Sequence, residues 1–197
     1  MPSPALVRWQ SERMDALGSL VDVHGKVNGN RRGRQRATEH LNLACFVSLA
    51  AEFQGFCRDL HDDAASEIAS SLAPGNGPQI PVVLNALVRA RKLDTGNAGP
   101  GNLGNDFAIL GMTLWSDIYA HYPASGSKWN VVLQSLNTVR NGVAHSDAAK
   151  LEEARRANPL TLATFKRWKS TVNVAASGID TVVEAYLTQL TGRHPWV

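Results

Sequence analysis

Apolar residues recur at intervals of three and four along most of this chain, the period of helices that bury one face. The first such pattern, Pro4 to His24, predicts a helix with Leu6, Val7, Met14, Leu17, Leu20 and Val21 turned inward. A polar break from Gly25 to Arg36 follows. The longest pattern runs from Thr38 to about Leu72, where Leu41, Cys45, Leu49, Phe53, Phe56 and Leu60 form one stripe. Thr38 suits an N-cap there, and Pro74-Gly75-Asn76-Gly77-Pro78 ends the segment. Val82 to Leu93 predicts a third helix. Asp94 to Asn105, with four glycines and three asparagines, reads as a flexible loop without a phosphate-cradling glycine motif. Phe107 to Tyr122 predicts a fourth helix and Lys128 to Arg140 a fifth. After Asn158-Pro159, Leu162, Phe165, Trp168, Val172, Ala175, Ile179, Val183, Leu187 and Leu190 keep helical period to the end of a long last helix. No stretch alternates with period two. The expected fold is all-α: an up-and-down bundle of about five to six helices in one domain spanning 1–197. Its core is expected over about 38–190, with 1–37 forming a first helix and a basic loop.

Composition narrows the class without naming a function. A chain of 197 residues with 44% apolar and 19% charged residues can bury a core unaided. Twenty basic against 17 acidic residues leave +3, too mild a charge to require a nucleic-acid partner. Arginine outnumbers lysine by 14 to 6. Its rigid fork grips phosphate with paired hydrogen bonds, although GC-rich codon usage produces the same skew. Cys45 and Cys57 are twelve residues apart on one helix, about 120° and 18 Å from one another, so they cannot pair. They read as buried, reduced thiols. Met1-Pro2-Ser3-Pro4 lacks the basic start and apolar run of a signal peptide, and no apolar stretch is long enough to span a bilayer. A cytoplasmic protein with no membrane partner is expected.

The segment Leu133-Gln134-Ser135-Leu136-Asn137-Thr138-Val139-Arg140-Asn141-Gly142-Val143-Ala144-His145-Ser146 carries the chemistry. On an unbroken helix, Arg140 and His145 would stand about 140° apart. Asn141-Gly142 is a pair that ends helices, and a turn there would bring both side chains to one side of the chain. A permanently charged phosphate clamp beside a group titrating near neutrality suits phosphodiester cleavage without a metal. The same spacing also fits a helix C-cap, with the arginine on the last carbonyls and the histidine at the surface.

Arg140-Asn141-x-x-x-His145 closes an amphipathic helix, downstream of the long helix containing Phe46-Val47-Ser48-Leu49-Ala50-Ala51-Glu52-Phe53-Gln54-Gly55-Phe56-Cys57-Arg58-Asp59-Leu60. Together these resemble the HEPN superfamily, most closely its stand-alone RiboL-PSP-HEPN group, over roughly Thr38 to Leu190. The resemblance implies an up-and-down helical bundle and a metal-independent endoribonuclease leaving 2′,3′-cyclic phosphate and 5′-hydroxyl ends. It further implies a homodimer with a composite cleft, no cofactor and no metal. Such domains serve as toxins of toxin–antitoxin or phage-defence systems, so an antitoxin protein is an implied partner. By the same resemblance Arg140 binds the scissile phosphate, His145 is the general acid or base, and Asn141 orients His145 or contacts RNA. Many relatives follow the histidine with glycine; this chain has Ser146-Asp147. A non-catalytic HEPN-like module binding RNA, a nucleotide or a protein is the alternative.

Glu52 and Asp59 sit at the edge of the apolar stripe, where a carboxylate should be paired. Each reads as a partner of Arg140 or His145, as half of an ordinary salt bridge with a nearby arginine, or as simply exposed at the edge of the stripe. Arg31, Arg32, Arg34 and Arg36 are candidates for RNA-backbone contacts, or a solvated basic loop. Trp129 and Tyr122 offer rings that either stack on a base or pack in the core. His61-Asp62-Asp63 superficially suits a metal but has no companion cluster.

Overall fold

The computed structural model describes residues 1–28, 38–72 and 77–196. Every regular element among them is helical. The elements are α1 (Pro4–Arg8), a π-helical turn (Trp9–Arg13), α2 (Met14–Asn28), α3 (Glu39–Leu72), α4 (Gln79–Val88), α5 (Lys92–Thr95), α6 (Pro100–Ile109), α7 (Leu114–His121), α8 (Gly126–Ala144), α9 (Ala148–Ala157) and α10 (Leu162–Thr191). The all-α expectation holds, with more and shorter helices than the five to six expected. None of the described helices is long and apolar enough to cross a membrane.

The two longest helices form the spine. Phe46 near the start of α3 meets Phe165 and Trp168 near the start of α10, with ring centroids 5.9 and 5.2 Å apart. Towards the far ends Glu67 takes Arg193 at 3.1 Å. The two helices therefore run side by side in the same direction. Their apolar stripes supply much of one continuous cluster of buried side chains. Gly178 of α10 admits α8 closely, since a β-carbon there would lie 2.4 Å from Trp129 Cη2.

The N-terminal segment belongs to the same core. Ser3 caps α1, its Oγ accepting the Leu6 N–H at 3.0 Å. Trp9 is fully buried between Phe53 and Phe56 of α3, and its Nε1 donates to Asn173 Oδ1 of α10 at 2.9 Å. Val7, expected inward, is 53% exposed. Ala5, Leu6 and Trp9 form the inward set instead, and the wider π turn resets the phase before Leu17 is buried.

Two stretches depart from the periodicity reading. The expected third helix stops at Val88, because Ala90 takes a left-handed φ of 62°, and Lys92–Thr95 forms a separate turn. Residues expected as a loop to Asn105 are helical from Pro100, whose ring presets φ at a first helical position. Gly111, at φ 86°, then breaks what had read as one helix from Phe107 to Tyr122. Cys45 and Cys57 are buried and unbridged, and burial pushes both thiols above their ordinary value.

Candidate functional site

Arg140 lies just before the last turn of α8, on the border of its buried face. Asn141-Gly142 does not end that helix, contrary to the expectation from sequence. Gly142 stays helical and buried because its missing side chain makes room for α9: a β-carbon there would lie 2.9 Å from Leu151 Cγ. The chain turns one step after the motif. His145 is the C-cap, and Ser146 takes the left-handed conformation at φ 51°. The Ser146 N–H donates to Val143 O at 3.2 Å and the Asp147 N–H to Gly142 O at 2.8 Å, the paired bonds of a Schellman ending. Ser146 thus occupies the position where glycine would be least strained. Asp147 then caps α9 by accepting the Lys150 N–H at 3.0 Å.

Because the helix is continuous through the motif, Arg140 and His145 keep the divergence of about 140° expected for five helical residues. No hydrogen bond joins them. The His145 imidazole is exposed and makes no hydrogen bond to a described residue. Arg140 is half-buried and donates from Nη1 to Asn141 Oδ1 at 3.1 Å. Burying part of a guanidinium ordinarily demands a carboxylate. The other described arginines that are not fully exposed meet that demand: Arg13 with Glu52 and Asp59, Arg91 with Asp62 and Asp94, Arg155 with Glu39. Among the described residues Arg140 has no carboxylate within 4.0 Å.

Asn141 does not hold His145. Its Oδ1 instead accepts a second bond, from Asn97 Nδ2 at 3.2 Å. Asn97 comes from the turn between α5 and α6, part of the stretch read from sequence as a flexible loop. That turn is anchored from several sides. Gln54 of α3 donates to Leu93 O at 2.7 Å and Gly96 O at 3.3 Å, Asn102 donates to Asn97 O at 2.9 Å, and Trp115 donates to Pro100 O at 2.7 Å. Below it, buried Asp106 accepts the Lys92 and Leu93 N–H groups, both at 2.8 Å. Fully buried His61 spans Asp106 O at 3.1 Å and Arg91 Nη1 at 3.2 Å. Arg91 can only donate, so His61 Nδ1 accepts and Nε2–H donates. Burial holds this imidazole below its ordinary pKa, and the facing Arg91 adds to that effect.

The remaining candidates fall elsewhere. Glu52 and Asp59 are taken by Arg13, at 2.8 and 2.9 Å, and Asp59 also by Arg8 at 2.7 Å. Neither partners Arg140 or His145. Gly55 lies between the two acids on α3, and a β-carbon there would meet the Arg13 guanidinium at 2.4 Å, so that groove is filled by a structural clamp. Arg31, Arg32, Arg34 and Arg36 lie outside the described residues. Trp129 is buried against Tyr122, their ring centroids 4.9 Å apart, and serves packing. His61-Asp62 belongs to the Arg91 network, and no group of three metal-ligating side chains occurs among the described residues. Asn97 and Gln54 were missed from sequence; the only signal was an asparagine-rich turn read as mobile.

Comparison with protein-family models, with curated proteins and with solved structures returns no match to this chain.

Proposed function

We propose that this protein is a HEPN-type, metal-independent endoribonuclease acting as a toxin or in phage defence. The observation that carries the reading is Arg140: a half-buried guanidinium with no described carboxylate partner, held only by a neutral amide, five residues before an exposed imidazole that no described residue partners. A phosphodiester supplies the missing negative charge and matches the guanidinium fork. The Arg140 side chain also donates to no helix carbonyl, so the C-cap explanation of the motif loses support.

In this reading Arg140 binds the scissile phosphate and offsets charge as the ribose 2′-oxygen attacks phosphorus. His145 takes the 2′-hydroxyl proton or delivers one to the departing 5′-oxygen. The products are a 2′,3′-cyclic phosphate and a 5′-hydroxyl. One geometric fact favours a second reading, a non-catalytic module binding RNA, a nucleotide or a protein: Arg140 and His145 diverge along the helix of a single chain. The homodimer implied by the HEPN resemblance answers this, since a composite cleft draws on two copies of the motif.

Purified protein incubated with mixed RNAs in EDTA should cut them. Arg140→Ala and His145→Ala should each lower the rate by about a hundredfold or more. Cleavage at the parental rate in both variants overturns the nuclease; RNA binding that survives His145→Ala without any cutting favours the binding module.

A further inference from the structure

The orientation of the amides beside Arg140 follows from donors that have no alternative role. The Gly99 backbone N–H lies 2.9 Å from one terminal atom of Asn97, so that atom is the carbonyl oxygen. The other terminal atom, Nδ2, therefore faces Asn141 at 3.2 Å and requires an acceptor. From the opposite side Arg140 Nη1, which can only donate, requires an acceptor at the same Asn141 atom, 3.1 Å away. Both ends of the chain impose one answer. Asn141 Oδ1 is pinned between two donors, which leaves its Nδ2 with two N–H bonds to give.

Those bonds, and the Nε and Nη2 groups of Arg140, have no acceptor among the described residues, and none of these atoms is sealed from solvent. The result is an edge made only of donors, carrying a full positive charge and no carboxylate. Its complement is an anion with several acceptor oxygens. We propose that Asn97 is a positioning residue: it fixes Asn141 so that Asn141 Nδ2 and Arg140 bind one phosphate group together. This deepens the nuclease reading and rests on it for the source of that phosphate, an RNA backbone. Asn97 itself touches neither phosphate nor reacting atoms. It acts by occupying Asn141 Oδ1, which would otherwise be free to turn towards the anion and repel it.

The test follows the Asn141 side-chain NH2 resonances of the ¹⁵N-labelled full chain, identified by their loss in Asn141→Gln, during titration with inorganic phosphate at constant ionic strength. Phosphate should shift them in the parental chain. Asn97→Ala should weaken the response about tenfold, the loss expected for one bond in a charged network. Asn97→Asp keeps the acceptor for Gly99 but opposes Asn141 Oδ1 with a second acceptor, so it should weaken the response further. Thermal midpoints of the Asn97→Asp and parental chains should agree within about 2 °C, which separates positioning from unfolding. Equal phosphate affinity in the parental chain and Asn97→Asp, or no shift at Asn141 in the parental chain, overturns the proposal. RNA cleavage by the same preparations distinguishes the two levels. Cutting that needs Arg140 and His145 but is indifferent to both Asn97 substitutions keeps the nuclease and overturns the role of Asn97. An Asn97-dependent phosphate response without cutting of any RNA supports the anion pair and overturns the nuclease.

Discussion

Ser146 carries a strain that its neighbours impose. A side chain at φ 51° costs free energy that glycine avoids, and the two closing bonds of α8 hold it there regardless. Ser146→Gly should therefore stabilise the fold by about 0.5–1 kcal/mol, read as a raised urea midpoint with unchanged slope. The site should be unaffected, because Ser146 contributes only backbone bonds to the turn. The motif's residues were legible as residues: their types and spacing drew attention to Arg140, Asn141 and His145. Where the chain turns was not legible. Asn141-Gly142 has the local chemistry of a helix end, yet Leu151, packed on the bare face of Gly142, keeps the helix going.

At the scale of elements, long stripes were readable and short connections were not. The α3 and α10 patterns held because a long run of apolar side chains at one period can be buried in only one way. The region from Ala90 to Met112 failed because its course depends on distant polar groups: Asp106 on the α5 amides, His61 and Asp62 on Arg91, Gln54 on the turn carbonyls. Glycine and asparagine there announce mobility only when such anchors are ignored. This bracing has a pH signature. His61 is kept neutral in the folded chain below its ordinary pKa of 6.5, whereas the unfolded chain takes up a proton near that value. Below pH 6.5 the unfolded state binds more protons, so stability should fall as pH drops from about 7.5 to 5.5. Urea midpoints across that range should show this slope, and His61→Gln should flatten it. A slope of equal steepness in His61→Gln would place its origin elsewhere.

For the whole molecule, the divergence of Arg140 and His145 makes the number of chains matter. One copy offers an anion-binding edge on one side of α8 and an imidazole on another; the cleft implied by the HEPN resemblance combines both from two copies. Sedimentation velocity at micromolar concentration should accordingly find a dimer. A single chain that cleaves RNA at full rate would remove the shared cleft while leaving the roles of the two side chains intact. Net charge bears little on this. Among the described arginines that are not fully exposed, the charge is already cancelled within the fold by Glu39, Glu52, Asp59, Asp62 and Asp94, except at Arg140.

The stitching of the first helix to the last sets an order of events during synthesis. Trp9 needs Asn173, and the Ser3 amide needs Asp180, contacts separated by 164 and 177 residues. A nascent chain can form α3 early, but the slot for the indole has only one wall until α10 emerges. The N-terminal segment can dock on α3 first, through the Arg8 and Arg13 ion pairs, but the α10 side of the slot closes only when nearly the whole polypeptide has been made. A ribosome stalled before α10 would thus present a half-covered tryptophan, a natural handle for chaperones and proteases that survey unfinished chains.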